Sequence, residues 1–186
     1  GRDEEAIENY RQAIRLKPDY AAAHWNLSFA LLRAGNFIEG WKECEWRTDP
    51  TVKFVTYPDC EQSQCWDGSS FVGKRLLVRS EQGFGDNIHF IRYLPMVKAL
   101  GWTVIYESRK PLLNLFRSVN GIDELVEESA DRKSSVNFDH YIPLLSLANI
   151  FGTTVDTIPA DVPYIHPDAA KVECWKDKFN ADKFNI

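Results

Sequence analysis

One stretch of this chain has residues able to do chemistry, at a spacing that lets them act together: Glu81-Gln82-Gly83-Phe84-Gly85-Asp86-Asn87. It follows a short apolar run, Arg75-Leu76-Leu77-Val78-Arg79, and precedes an apolar-periodic segment from about Asn87 to Leu100. The expected order is strand, glycine turn, helix start. Open α/β sheets place ligands at such strand ends. Two glycines let the backbone turn sharply and come close to a ligand, and a helix start offers free N–H groups and a positive dipole. Asp86 is the candidate catalytic residue. Its carboxylate at a helix start is either an N-cap or a general base, kept ionised by the dipole and left accessible by the glycines. Both readings stand at this stage. Glu81, Gln82, Gly83, Gly85 and Asn87 are the candidate substrate-binding residues of the loop, and His89 and Arg92 those of the helix that follows.

Other chemistries fit less well. A dinucleotide fingerprint needs a third glycine where this chain has Ile88, and only Glu107 is a formal candidate for the ribose-binding acid. A Walker A loop is excluded, because no Gly-Lys-Ser/Thr follows the turn. Cys44, Cys60, Cys65 and Cys174 fit no compact zinc spacing, so they are expected as free thiols and no metal or cofactor is expected. Asp139-His140 suggests a dyad, yet adjacent strand residues point to opposite faces and a shared proton relay is not expected. The net charge of −5 argues against a nucleic-acid partner held by bulk charge.

The elements that must position this loop are α/β in pattern. Thr103–Glu107 reads as a second strand after a helix capped by Gly101, so a parallel βαβ unit is expected. Pro95 is expected to split the intervening helix. A helix from Pro111 to Val119, strands near 123–127 and 138–142, and a short helix over 144–151 complete a Rossmann-like open sheet in 74–186. Residues 48–73 are turn-rich and read as a linker anchored by Trp66. Of the 186 residues, 44% are hydrophobic and 13% aromatic, enough for a substantial core. No run is long enough to span a membrane. Thiols without a secretion signal suggest a cytoplasmic setting.

Residues 1–47 are helical. Ala6, Ile7, Tyr10, Ala13 and Ile14 line one face after Asp3, a candidate N-cap. Pro18 stops this helix, Gly35-Asn36 ends the next, and a third runs from Phe37 through Trp46. Ala6, Tyr10, Ala13 and Pro18 fall at the spacing of the second helix of a tetratricopeptide repeat, and Gly1 and Gly35 lie 34 residues apart, that repeat's period. About one and a half repeats are present, where roughly three are needed for a stable solenoid. Gly40 stands where the repeat expects Ala. A plain α-helical cap is the alternative.

The block from Gly73 through Tyr93, with Gly40-Trp41, Glu45-Trp46-Arg47, Trp66-Asp67-Gly68, 139–147, Ile158-Pro159 and Pro163-Tyr164, resembles bacterial tetratricopeptide-repeat proteins that carry a C-terminal glycosyltransferase domain. That domain is similar to the heptosyltransferases of glycosyltransferase family nine, of GT-B fold. The resemblance implies transfer of a sugar from a nucleotide-sugar donor to an acceptor hydroxyl on a glycan, lipid-linked sugar or protein. It makes Asp86 the base and 74–186 the acceptor-side lobe, with the repeats binding a protein partner. His89 stands where Gln is usual, and Ala148 replaces Pro. The chain has no initiator Met, and Phe184-Asn185-Ile186 resembles the opening of a second lobe. The expectation is a piece of a longer protein, inactive without its donor lobe. The rival expectations are a non-catalytic interaction module on an α/β scaffold and a dinucleotide-binding Rossmann domain.

Overall fold

A computed structural model describes residues 1–52 and 57–176. Three antiparallel-neighbour helices come first: α1 (Arg2–Leu16), α2 (Ala21–Arg33) and α3 (Phe37–Cys44), the last running on as a 3-10 turn over Glu45–Thr48. The periodic face of α1 packs Ile7 with Leu27, Ala30 and Leu31 of α2, flanked by Ala6, Tyr10 and Ile14. Asp3 is not the N-cap. Gly1 takes that position, and Asp3 instead pairs with Arg33 across the helix pair. α2 ends as expected: Gly35 has φ +85°, its N–H donates to Leu32 O, and the Asn36 N–H donates to Leu31 O at 2.9 Å. That is the bonding pattern of a glycine-terminated helix. Gly40 has a packing reason. A Cβ there would lie 2.8 Å from Leu32 Cγ and Cδ2, so α2 and α3 approach too closely for Ala.

The second part is a four-stranded, all-parallel sheet of β1 (Arg75–Arg79), β2 (Thr103–Ser108), β3 (Glu124–Glu127) and β4 (His140–Pro143), ordered β3-β2-β1-β4. Chain connections run outward from β1 in both directions, which puts the switch in strand order between β1 and β4. The crossover between β1 and β2 is broken as Pro95 requires. α4 (Phe84–Phe90) tightens into a 3-10 turn over Ile91–Tyr93, and α5 (Leu94–Ala99) restarts with Pro95 in its first turn, where its missing N–H has no partner to lose. The helix after β2 is shorter than its apolar pattern suggests, a 3-10 turn at 110–112 and then α6 (Leu113–Phe116). α7 (Ser146–Ile150) follows β4. α8 (Ala169–Lys176) is the last described element, and Phe184-Asn185-Ile186 lies outside the described residues.

Alternation along the strands sorts the core into two faces. Leu76, Val78, Val104, Tyr106 and Ile142 face the helices, with Phe90, Leu94, Val97, Trp102, Phe116 and Leu147. Leu77, Ile105 and Tyr141 face the other way, and what covers them is the stretch expected to be a linker: Tyr57, Cys60 and Cys65, with Val126, Val136 and Phe138. Trp66 is buried edge-on against Trp102 and Phe151, and its indole N–H donates to Ser69 O at 2.7 Å. Part of the stretch between the helices and the sheet is therefore a wall of the α/β unit. All four cysteines are free thiols, and burial pushes those of Cys44 and Cys60 up to about 11.

Gly121 is where backbones meet most closely. It has φ +89°, and a Cβ would lie 2.6 Å from Leu94 C and Pro95 N. Gly121→Ala is expected to cost at least about 2 kcal/mol in denaturant unfolding, because strain and a backbone clash add. A loss under about 0.5 kcal/mol contradicts the close approach.

Candidate functional site

The loop that follows β1 is built by its own polar side chains. Gln82 adopts φ +59°, which turns the chain out of the strand. Gly83 then caps α4: its N–H donates to Asp86 Oδ2 at 2.9 Å. Asn87 is fully buried beneath the turn, and its amide NH2 donates to Glu81 O at 2.8 Å and Gly83 O at 2.7 Å. Its Oδ1 accepts from the Tyr106 hydroxyl at 2.7 Å, which ties the loop to β2. Burial holds that hydroxyl neutral, far above the ordinary tyrosine range. Asn87→Ala takes the amide partner from the Tyr106 hydroxyl and from Glu81 O, while Gly83 O keeps the residue 87 N–H, and an expected loss of about 2–3 kcal/mol should appear in the denaturant midpoint. A variant as stable as the parent contradicts the bonding described.

The candidate residues fall into two groups. Gly83 and Gly85 are exposed, Gln82 and Asp86 half-buried. Nothing lies within 4 Å of a Cβ built on Gly85, so the space over the turn is open. Asp86 both caps and remains accessible, since Oδ1 has no protein hydrogen-bond partner among the described residues. His89 is exposed one turn further on. Partial burial of the ring, then Arg92, hold its imidazole below the ordinary value.

Glu81 and Asn87, by contrast, have almost no exposed surface and shape the loop from beneath. Glu81 Oε2 accepts from Arg47 Nε and Oε1 from Arg47 Nη2, both at 2.8 Å, and Oε1 also accepts the Leu145 N–H at 2.8 Å. Both carboxylate oxygens are engaged. Arg92 is similarly engaged: its guanidinium donates to His89 O, Pro159 O and the Tyr164 hydroxyl and lies over the Tyr164 ring. It fastens the 159–164 segment to the crossover instead of standing free for a ligand.

At the end of β2, Glu107 is buried against Arg79, its Oε2 accepting from Nε at 2.8 Å, and Arg79 Nη1 donates to Asp59 at 2.6 Å. Burial raises the Glu107 carboxyl, with Arg79 opposing. A carboxylate so enclosed cannot present itself to a ribose, which removes the formal ribose acid of the dinucleotide reading. Asp139 and His140 also part company: Asp139 Oδ2 accepts the Arg75 N–H, and His140 stacks on Phe71.

Sequence reasoning did not assign roles to Arg47, Arg79 or Ser146. Arg47 is fully buried, and Ser146 Oγ accepts from its Nη2 at 2.8 Å while donating to Glu45. The signals available were the placement of Arg47 beside Trp46 at the end of an amphipathic helix and the presence of Arg47 and Ser146 in segments that carry the resemblance.

The family model for the TPR repeat matches residues 1–35, and the chain carries TPR-type helices there. Over 92% of its length the chain is 25% identical to Protein FlbA of Caulobacter vibrioides. It spans 37% of the length of that curated relative. No solved structure matches the chain significantly. No helix among the described residues is long and apolar enough to cross a membrane.

Proposed function

We propose that the α/β unit is the acceptor-side lobe of a GT-B-type glycosyltransferase and that the TPR-type helices take a protein partner. The observation that carries this reading is Asp86: one carboxylate oxygen is pinned by Gly83 N–H, the other is free, and both stand beside the open face of Gly85 at the end of a central strand. A group so held is oriented without being consumed. Its free oxygen takes the proton of an acceptor hydroxyl as that oxygen attacks the anomeric carbon of a nucleotide-sugar. Charge on the departing diphosphate requires donors from elsewhere in the whole protein. On this reading Gln82, Gly83, Gly85 and His89 contact the acceptor, as their position around the turn supports. Glu81, Asn87 and Arg92 support them.

The second reading, a protein-interaction module with a non-catalytic scaffold, is favoured by the TPR repeat alone. The two separate on Asp86→Asn in the intact protein. Transfer by the parent that is lost in the variant at unchanged stability supports the base, retained transfer leaves Asp86 a cap, and a parent that transfers no sugar supports the scaffold.

A further inference from the structure

The helical repeats touch the site through buried charge, and that contact is the feature the proposed reaction does not use. Arg47 lies in the 3-10 turn that ends the helices, and Glu81 lies at the base of the Gly83–Asp86 turn, 34 positions away. Both side chains have no exposed surface. Their fork-to-fork geometry is completed by Ser146 at the start of α7, by Glu45 at 3.1 Å from Arg47 Nη1, and by the Leu145 N–H on Glu81. Burial works against the Arg47 charge, but the Glu81 carboxylate outweighs it and holds the guanidinium well above its ordinary value. One carboxylate thus joins three elements: the last turn of the helices, the start of α7, and, through the Glu81 carbonyl that Asn87 grips, the loop itself.

The helices reach the site a second time. Trp41 of α3 meets Phe90 of α4 edge-on at 5.8 Å, and its indole N–H donates to Thr153 O at 3.0 Å. Thr153 Oγ1 in turn accepts from Tyr93 OH at 2.9 Å, in the crossover beyond α4. The helix that starts with the Asp86 turn is therefore held by α3 at its far end, and the turn itself is held by Arg47 at its base.

We infer that Arg47 is a positioning residue for the Gly83–Asn87 loop, and that the TPR-type helices are a structural part of the site and not an adaptor appended to it. A rigid fork fixes both distance and plane of its carboxylate, which a single ammonium does not. Movement of the helices, as on partner binding, then passes to the loop through Glu81. The importance of this for sugar transfer rests on the base reading of Asp86. The mechanical coupling does not.

The test is hydrogen exchange by mass spectrometry on the intact protein, comparing parent, Arg47→Lys and the double variant Arg47→Met/Glu81→Gln. The double variant removes both buried charges together, so it is not left with a lone carboxylate if Arg47→Met alone fails to fold. In both variants the 82–90 peptide is expected to exchange about ten-fold faster, while β2 stays within about two-fold of the parent. In a transfer assay the same variants are expected to lose kcat with KM little changed, since a displaced base reacts poorly but does not weaken acceptor binding. Loop exchange equal to the parent's overturns the proposal. So does equal acceleration of loop and β2, which marks general destabilisation. If the parent itself transfers no sugar, the base reading fails, and the exchange result still decides the coupling.

Discussion

Replacing Arg47 by Met is expected to lower the stability of the folded chain by about 3–5 kcal/mol, the loss typical when one partner of a buried ion pair is removed. The size follows from what remains. Glu81 stays at the base of the loop with no exposed surface, and its two oxygens keep only the Leu145 N–H. Ser146 Oγ also loses its donor, and Glu45 loses its contact with Arg47. Met matches much of the aliphatic stem of Arg, so cavity formation contributes less than the stranded carboxylate. Denaturant unfolding measures the loss, and Arg47→Met/Glu81→Gln is expected to recover most of it, because paired removal of buried charges is often neutral. A single variant within about 1 kcal/mol of the parent means that water or a rearranged partner reaches Glu81, and the buried pair described above is then wrong.

Asp86→Asn is expected to reduce sugar transfer by about 10²–10⁴-fold, the usual contribution of a positioned general base, while stability changes by no more than about 0.5 kcal/mol. The substitution separates the two roles of this residue. Asn keeps an oxygen for the Gly83 N–H, so the turn and the start of α4 survive. What disappears is the basic lone pair on the free oxygen. Asp86→Ala removes cap and base together and is expected to lose both activity and about 1 kcal/mol. Steady-state transfer with a nucleotide-sugar series, read beside thermal unfolding, distinguishes the outcomes. Full activity in Asp86→Asn sinks the base and leaves Asp86 as a cap only.

Local features of the fold were legible where the signal is local. Gly35 needs a left-handed backbone to end a helix, and it has one. Pro95 lacks the N–H that a continuous helix requires, and the crossover breaks there. The 34-residue spacing of Gly1 and Gly35 pointed to the TPR period, and the TPR match covers residues 1–35. The runs at 75–79 and 103–107 are continuously apolar at their centres, Leu76-Leu77-Val78 and Val104-Ile105-Tyr106, because both faces of a central parallel strand are covered. The loop was legible for the same reason, since a strand, two glycines and an acid at a helix start define its turn within seven residues.

The misplacements have a shared origin. Asp3 satisfies the composition of a cap, yet Arg33 lies across the helix pair and takes its carboxylate. Glu107 stands at the right distance in sequence for a ribose acid, yet Arg79 on the neighbouring strand claims it. Arg92 faces a segment about 70 residues later that no periodicity predicts. In each case a charged group found its partner through strand order and helix packing, which neighbouring residues do not encode.

The amino-acid sequence by itself determined the repeat-type helices, the parallel α/β pattern and the turn that presents Asp86, because hydrophobic period, glycine and proline act over a few residues. Only the tertiary structure decided that Glu81 and Asn87 support the loop from within, that Tyr57, Cys60 and Cys65 roof the second face of the sheet, and that Arg47 joins the helices to the site. Burying a charge is tolerable only opposite a partner of matching geometry, and such a partner is chosen by the fold as a whole.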